Sequence, residues 1–414
     1  MNKKRTGLIA ALDMGSSKIC CLLAHSSNDG GLKVLGVGHH ASKGIRSGAV
    51  IDMDAAQHAT LTAISAAEEL ANETIREVIV NVSGGYLSSE KFKFELPISG
   101  REVNQTDIRR ALAQGNFCQR DTDYEVLHSL PMAYSLDATK GIRDPRGMFA
   151  ETLGVEINVI STRAANLRNL AACLGRCHLD IEVAVAGPYA SGLACLVEDE
   201  VDLGVTIIDM GGGTTTIAVF YDGEVVHADS IPVGGHFVTS DIARGLSTSV
   251  AHAERMKTLY GSAISSPADE RELIDVPLIG EEINNQPNHV PRSLLNGIIR
   301  PRIEETFELV RNKLESAGLD RIAGRRLVLT GGASQLQGVR ELAALVLEKQ
   351  VRMGRPMRIS GLAEATSGPA FSTCAGLVRF AAEKHSDVRD QLDAIPTGVS
   401  GRISRIGNWL KGNF

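Results

Sequence analysis

Two short segments combine an aspartate with small residues, and each follows directly on an apolar run. Backbone N–H groups in such turns can approach a phosphate without obstruction by side chains. The candidate residues are Asp13, Gly15, Ser16, Ser17 and Lys18 in the first segment, and Asp209, Gly211, Gly212, Gly213, Thr214 and Thr215 in the second. A carboxylate suits Mg²⁺, which takes few protein ligands and keeps several waters. We expect Asp13 and Asp209 to hold Mg²⁺ through water and Lys18 to offset phosphate charge.

A third segment at 330–334 reads Thr-Gly-Gly-Ala-Ser and follows an apolar run at 326–329. Paired glycines here would let an adenine or a ribose lie flat against the backbone. The candidates for contact with a nucleoside are Gly331, Gly332 and Ala333. No GxxxxGK[ST] occurs, and no GxGxxG follows the first apolar run, so the motifs predict neither a P-loop nor a Rossmann site. Each turn taken alone could equally be an ordinary connection.

The two aspartate turns lie in matching surroundings. Each joins one apolar run to a second run, and a third run follows, as in a strand, a tight turn and a return strand. This duplication predicts an α/β protein with two related halves. The predicted organisation is a first half at 1–84 and 162–202, an inserted small α/β subdomain at 85–161, a second half at 203–240 and 326–383, a mostly helical subdomain at 241–325, a flexible linker at 384–400 and an amphipathic helix at 401–414.

The three turns, in this order and spacing, resemble the two phosphate loops and the adenosine loop of the superfamily of actin, sugar kinases and heat-shock chaperones. The resemblance implies an actin-like fold, which is a duplicated ribonuclease-H-like fold. The segments 127–134 (LHSLPMAY) and 141–148 (GIRDPRGM) look like the relocated extra subdomain of the bacterial FtsA family. This likeness covers nearly the whole chain. It implies a cell-division protein that binds ATP with Mg²⁺, self-associates and works with other division proteins.

The family pattern also assigns roles near the nucleotide. The segments 234–243 and 253–257 are similar to the nucleotide-facing helices of the family, which implies that Glu254 and Lys257 contact the ribose and base. These two residues are three apart and could instead form a plain surface ion pair. The family usually has an acidic residue where this chain has Thr216. A threonine cannot supply a carboxylate, so we expect nucleotide binding with slow hydrolysis and nominate no catalytic base.

The segment 291–305 resembles the FtsA helix region that meets the C-terminal tail peptide of FtsZ. An acidic peptide would find three arginine side chains close together there. The residues that the resemblance implies for partner binding are Arg292, Arg300, Arg302 and Glu305. A solvated basic face on a core helix is the alternative interpretation.

The last fourteen residues carry an amphipathic pattern. Ile403, Ile406, Trp409, Leu410 and Phe414 recur at the spacing of one helix face, whereas Arg402, Arg405 and Lys411 lie off that stripe. The chain's single tryptophan lies on this face, and tryptophan is typical of the membrane interface. The pattern predicts docking on anionic lipid at the cytoplasmic face of the inner membrane. The alternative is a helix that packs on the protein's own core.

Composition limits the possible functions. The chain has 414 residues and a net charge of −6, so no global basic field favours nucleic acid. No stretch has the length of apolar sequence that a membrane-spanning helix needs. The first twelve residues imitate a signal peptide, but the apolar run is too short and Asp13 interrupts it. We therefore expect a cytoplasmic protein, and the family resemblance implies that it is an adaptor. The main alternative is a small-molecule kinase of the same superfamily.

Overall fold

The computed structural model describes residues 6–27, 31–84, 86–114, 123–279, 288–319 and 322–383. The predicted linker at 384–400 and amphipathic helix at 401–414 lie outside these residues. The strands within them are β1 (Gly7–Met14), β2 (Lys18–Ser26), β3 (Leu32–Ala41), β4 (Ile45–Arg46), β5 (Ala49–Val50), β6 (Glu77–Val82), β7 (Ser88–Glu102), β8 (Tyr124–Leu136), β9 (Thr139–Ile142), β10 (Phe149–Arg163), β11 (Asp180–Ala186), β12 (Val205–Met210), β13 (Thr215–Tyr221), β14 (Glu224–Ile231), β15 (Leu273–Val276), β16 (Asn288–Pro291), β17 (Arg326–Thr330) and β18 (Gln350–Met353). The helices are α1 (Met53–Ala71), α2 (Gln105–Gln114), α3 (Ala164–Arg176), α4 (Gly187–Cys195), α5 (Glu198–Leu203), α6 (Gly235–Gly245), α7 (Val250–Tyr260), α8 (Arg292–Ser316), α9 (Val339–Leu347) and α10 (Ser372–Glu383).

Two five-stranded sheets share one topology. The first sheet is ordered β3-β2-β1-β6-β11 and the second β14-β13-β12-β17-β18. In each sheet the first three strands are antiparallel neighbours and the other pairings are parallel. The apolar runs before the two aspartate turns form β1 and β12, which are central and mostly buried, as near-continuous apolar strands should be. The predicted duplication is confirmed.

The inserted subdomain is a four-stranded sheet ordered β7-β10-β8-β9, with α2 packed on it. Its side chains also hold the edge strand β14 of the second sheet. The amide of Asn158 donates to the carbonyl of Val225 at 3.0 Å, and the backbone N–H of Ala228 donates to the hydroxyl of Ser89 at 2.9 Å. The subdomain therefore contacts the second half of the protein although it is inserted in the first.

A buried histidine ties the same subdomain to the first half. Nε2 of His128 on β8 accepts the backbone N–H of Ala186, just before α4, at 3.0 Å. Burial lowers the pKa of His128 to about 3, so the ring is neutral at pH 7. Tyr189 and Phe380 lie against the ring at roughly right angles, with centroids 5.3 and 5.8 Å away. The inserted subdomain thus contacts the helices that lie between the two sheets.

The helices α4 and α10 cross between the two sheets. The sequence analysis placed residues 326–383 wholly in the second half, but α10 packs on the first sheet, where the thiol of Cys374 donates to the carbonyl of Ala11 at 3.6 Å. One buried cluster contains Ile9 of the first sheet, Phe220 of the second and Phe380 of α10. The apolar residues along α10 are buried on nearly every side, so the helix belongs to both halves.

We predict that Gly376→Ala destabilises the protein because α4 and α10 touch at this glycine. A Cβ there would lie well inside 3.0 Å of the carbonyl oxygen of Ala190. Overpacking of this kind costs about 1–3 kcal/mol. Thermal or urea unfolding measures the effect. The matched control is Gly297→Ala in α8, where a Cβ meets no atom within 4 Å. A helical glycine costs roughly 0.5–1 kcal/mol against alanine, so the control should stabilise. Equal effects at both positions would contradict the prediction.

Candidate functional site

The three turns line one cavity of about 510 Å³ between the two halves. The predicted residues that line it are Asp13, Gly15, Ser16, Ser17, Lys18, Asp209, Gly211, Gly212, Gly213, Thr214, Glu254, Lys257, Gly331, Gly332 and Ala333. Thr215 does not line it. Its side chain is fully buried, and its hydroxyl donates to the carbonyl of Val233 at 2.8 Å. The neighbouring Thr214 and Thr216 line the cavity. Successive side chains of a strand point to opposite faces, so Thr215 points away from the cavity.

The two aspartate turns have the same local geometry. The N–H of Gly15 donates to the carbonyl of Lys18 at 3.1 Å, and the N–H of Gly211 donates to the carbonyl of Thr214 at 2.8 Å. Each bond closes a tight turn between two antiparallel strands. The turns also touch one another. A Cβ at Gly212 would lie 3.0 Å from the Cβ of Ser17 and closer still to its hydroxyl.

Gly213 meets the first turn in the same way as Gly212. A Cβ there would lie 2.8 Å from the Cβ of Ser16 and 2.8 Å from the backbone nitrogen of Ser47. The sequence analysis explained the glycines by close approach to a phosphate. The geometry adds a second reason, since glycine also lets the turns of the two halves meet.

One carboxylate from each half lies at the floor of the cavity. Burial raises the pKa of Asp13 to about 7, the nearby Lys18 opposes this rise, and Asp209 adds to it. Burial also raises the pKa of Asp209, although the hydroxyls of Ser191 on α4 and Thr373 on α10 donate to its Oδ2 at 2.5 and 2.7 Å. Two buried carboxylates with little positive charge nearby are suited to a divalent cation. The cation would offset the negative charge of both and favour their ionised forms. The donor set therefore suits hydrated Mg²⁺.

Lys18 projects toward the start of α10. Its ammonium donates to the carbonyl of Ala370 at 2.5 Å and lies 3.3 Å from the centroid of the Phe371 ring. Burial lowers the pKa of Lys18, while Asp13 acts in the opposite direction. The residue lines the cavity, but in the structure its partners are a carbonyl and a ring of the protein.

The predicted nucleoside-contacting pair lies on α7. Lys257 and Glu254 form an ion pair at 2.7 Å, and the Lys257 ammonium also donates to the Thr239 hydroxyl at 2.8 Å and to the Gly235 carbonyl at 3.1 Å. Both members line the cavity, as Ala333 does. The ion pair that we left open as the alternative exists, and it is part of the cavity wall.

Sequence analysis gave no role to two polar side chains at this cavity. His236 lies at the start of α6, and its Nε2 is 2.9 Å from the hydroxyl of Ser17 on the other half. Asn81 is the penultimate residue of β6; its side-chain carbonyl oxygen accepts the N–H of Met14 at 2.7 Å, and its amide donates to the Ser83 hydroxyl at 3.1 Å. The paired glycines at 234–235 were the available signal for His236. Asn81 could have been found from its position at a strand end beside β1.

The residues predicted to bind a partner lie on α8 and already have carboxylate partners. Arg292 pairs with Glu272 at 2.8 Å, Arg300 with Glu304 at 3.7 Å, and Arg302 with Asp241 at 2.6 Å and with Glu305 at 2.5 Å. The sequence analysis expected the three arginines to lie close together. Arg292 and Arg302 are about 15 Å apart along the helix axis. Arg300 and Arg302 point to different sides, because residues two apart on a helix do not face each other. The prediction of one compact basic cluster is therefore wrong.

Two further classes of site are absent from the described part of the chain. No group of three or more histidine, cysteine, aspartate or glutamate side chains there could hold a metal. Among the same residues, no helix is long and apolar enough to cross a membrane.

Comparison with known proteins identifies the family. Residues 206–376 match the family model for the cell division protein FtsA, and residues 84–161 match the model for the SHS2 domain inserted in FtsA. The FtsA of Rhizobium meliloti is 45% identical over 425 residues, which cover 99% of this chain and 96% of that protein. The chain belongs to the FtsA family. The SHS2 match agrees within one residue with the insertion predicted at 85–161. The family consists of cell-division proteins, as the sequence resemblance implied.

Solved structures confirm the actin-like fold. A PilM–PilN type IV pilus biogenesis complex matches with a TM-score of 0.64 and 16% identity, covering 91% of this FtsA-family chain and 98% of the other. MreB5 of Spiroplasma citri bound to ADP matches with a TM-score of 0.54 and 14% identity, covering 93% and 99% of the two chains. At these identities the likeness concerns the fold alone. The predicted α/β architecture with its inserted subdomain is correct.

Proposed function

We propose that this FtsA-family protein is an ATP-binding adaptor of the division septum. It binds ATP with Mg²⁺ between its two halves, self-associates and anchors FtsZ filaments to the inner face of the cytoplasmic membrane. The observation that carries the proposal is the meeting of three turns, from both halves, around one cavity of about 510 Å³. That volume lies within the roughly 300–1,000 Å³ range of small-molecule sites. The kinase alternative is not favoured, because relatives that match the whole chain are cell-division proteins.

The cavity offers a place for each part of the nucleotide. Backbone amides of the two aspartate turns face the phosphates, and Asp13 and Asp209 would hold Mg²⁺ through water. The ion would supply positive charge against the phosphate oxygens. We assign the ribose and base to the turn at 331–333 and the pair Glu254–Lys257, which line the same cavity. MreB5, which shares the fold, carries ADP in its solved structure.

A binding titration tests the nucleotide part of the proposal. We expect ATP to bind the full-length protein in the presence of Mg²⁺ and to bind more weakly when the ion is chelated with EDTA. Asp13→Asn, which removes one negative charge from the floor, should reduce the effect of Mg²⁺. The control is the same change at Asp137, an exposed aspartate of the inserted subdomain. Failure of ATP to bind at all would refute the proposed site, and equal affinity with and without Mg²⁺ would refute the role of the ion.

We predict slow ATP turnover because of Thr216. This residue is buried on β13 and lines the cavity, so its hydroxyl stands where the family usually has a carboxylate. Without that carboxylate the electrostatic stabilisation of the transferring phosphoryl group is incomplete. Turnover should fall well below the enzyme median of roughly 10 s⁻¹. A coupled assay of ADP release measures it. Thr216→Asp should raise the rate, with Thr216→Asn as the uncharged control, and a wild-type rate near the median would contradict the prediction.

The FtsZ part of the proposal concerns the outer surface of α8. Arg300 has a 41% exposed side chain and lies 3.7 Å from its partner Glu304, whereas Arg292 and Arg302 each have a carboxylate within 2.8 Å, so Arg300 is the most available to a new carboxylate. Leu294 in the first turn of the helix is 47% exposed, and Leu273, which pairs with Pro291 directly before Arg292, is 63% exposed. Apolar side chains next to arginines suit an acidic peptide with apolar anchors. Arg302 is held by Asp241 and contributes to the fold of this surface.

The membrane part of the proposal depends on the sequence pattern at 401–414. The described chain ends at Glu383, and the linker at 384–400 has seventeen residues. Fully extended, seventeen residues span up to about 55 Å. A helix on the bilayer surface could therefore stay attached to the folded body while the body holds FtsZ.

A further inference from the structure

One hydrogen bond at the cavity joins residues from opposite halves of the protein. The hydroxyl of Ser17 and Nε2 of His236 are 2.9 Å apart, although the residues are 219 positions apart in sequence. Ser17 belongs to the first aspartate turn. His236 belongs to α6, directly beside the second aspartate turn. The bond therefore crosses the cleft where the two turns meet.

Both partners are fixed to their own half by backbone contacts. The N–H of His236 donates to the carbonyl of Gly212 at 2.8 Å, and the N–H of Gly235 donates to the carbonyl of Gly211 at 3.0 Å. On the other half, the carbonyl of Ser17 accepts the N–H of Ser42 at 3.0 Å. The imidazole lies over Gly212, since a Cβ there would be 3.1 Å from its Cε1. The ring is therefore held in the cavity, above the turn proposed to bind phosphate.

We propose that His236 donates a hydrogen bond from Nε2 to the terminal phosphate of a bound nucleoside triphosphate and thereby distinguishes it from a diphosphate. This inference rests on the nucleotide site proposed above. In the structure, the Ser17 hydroxyl and Nε2 of His236 form a hydrogen bond with one another. A phosphate oxygen accepts hydrogen bonds only, and both the serine hydroxyl and a protonated Nε2 can donate to it. A triphosphate thus exchanges one bond between protein groups for two bonds to a charged acceptor.

A neutral imidazole with its proton on Nε2 can exchange the bond to Ser17 for a bond to phosphate without a change in the charge of the ring. Burial lowers the pKa of His236, and the nearby Lys257 lowers it further. Glu254 acts in the opposite direction. The charged groups that act on the ring are thus Lys257 and Glu254, both on α7, while Lys18, Asp13 and Asp209 line the same cavity. A diphosphate lacks the terminal group, so the Ser17–His236 bond can persist when a diphosphate is bound.

The test compares the affinities of AMPPNP and ADP, both with Mg²⁺, for His236 variants of the full-length protein. His236→Ala should lower the ratio of AMPPNP affinity to ADP affinity by about tenfold, the size expected for one hydrogen bond to a charged group. His236→Gln should keep the ratio near the wild-type value, because its amide N–H reaches the position of Nε2. His236→Asn carries the same amide one methylene shorter and should behave like alanine. The control is His252→Ala on α7, which does not line the cavity.

The outcomes separate the inference from the proposal that it rests on. If the wild-type protein binds neither nucleotide, the proposed site is wrong and the inference with it. If the wild type binds both and His236→Ala weakens both equally, His236 has only a structural role and the inference is overturned. The glutamine and asparagine variants both keep a polar side chain, so they decide the question even if the alanine variant unfolds. Equal affinity ratios for these two variants would also overturn it.

Discussion

Replacing Gly212 with valine is expected to abolish ATP binding while the chain stays folded. A Cβ at this position would lie 3.0 Å from the Cβ of Ser17, 3.1 Å from Cε1 of His236 and closer still to the Ser17 hydroxyl. The branched side chain must push the two aspartate turns apart. The backbone N–H groups of the two turns would then no longer converge on the phosphates, and the side chain would occupy their place.

The measurement is an ATP titration of Gly212→Val beside thermal unfolding of the same sample. Gly297→Val is the matched control, because a Cβ at Gly297 meets no atom within 4 Å and the position lies outside the cavity. A smaller change isolates the contact between the turns. Gly212→Ala should weaken binding, and adding Ser17→Ala should relieve part of the crowding. ATP affinity of the wild-type size in Gly212→Val would show that the phosphate-turn assignment is wrong.

Replacing Trp409 with glutamate is expected to release the protein from anionic liposomes. Burying an apolar side chain contributes roughly 1.5–3 kcal/mol at full burial, and each basic residue adds about 1 kcal/mol on anionic lipid. Ordering the segment cancels much of this, at about 1–2 kcal/mol per residue. Binding by one copy is therefore weak, and self-association would supply avidity. The change removes one apolar side chain that contacts lipid and adds a negative charge. Liposome binding should therefore fall to the background level.

Asn408→Glu is the matched control for this change. It introduces the same charge at the neighbouring position, which the helical spacing places away from the apolar stripe. Liposome co-sedimentation should fall strongly for Trp409→Glu and only slightly for Asn408→Glu, with ATP affinity unchanged in both. If Trp409→Glu binds liposomes as the wild type does, the helix docks on protein and the membrane-anchor proposal fails.

The parts of the fold that could be predicted from sequence are those with local signals. The apolar runs on either side of Asp13 and Asp209 predict paired strands, and the small residues between them predict the turns that line the cavity. Side chains alternate between the two faces of a strand, so Thr215 must point away from the cavity that Thr214 and Thr216 line. This alternation would have excluded Thr215 from the predicted site residues.

The remaining features depend on contacts between residues far apart in the chain. The apolar pattern of α10 identifies a buried helix but not the sheet that buries it. The hydrogen bond between His236 and Ser17 needs the two halves to be assembled, and a single histidine carries no pattern of its own. Arg300 and Arg302 look like neighbours in sequence, yet helical geometry and the carboxylate of Asp241 separate them.

The measurement that tests the adaptor proposal most directly is recruitment of FtsZ to a membrane. A labelled FtsZ C-terminal peptide is mixed with anionic liposomes and ATP, with either the full-length protein or a chain stopped at Lys384, and the liposomes are pelleted. We predict that the peptide pellets with the full-length protein and stays in solution with the shortened chain. Equal recovery of peptide with both chains, or full-length protein that pellets without the peptide, would contradict the proposal.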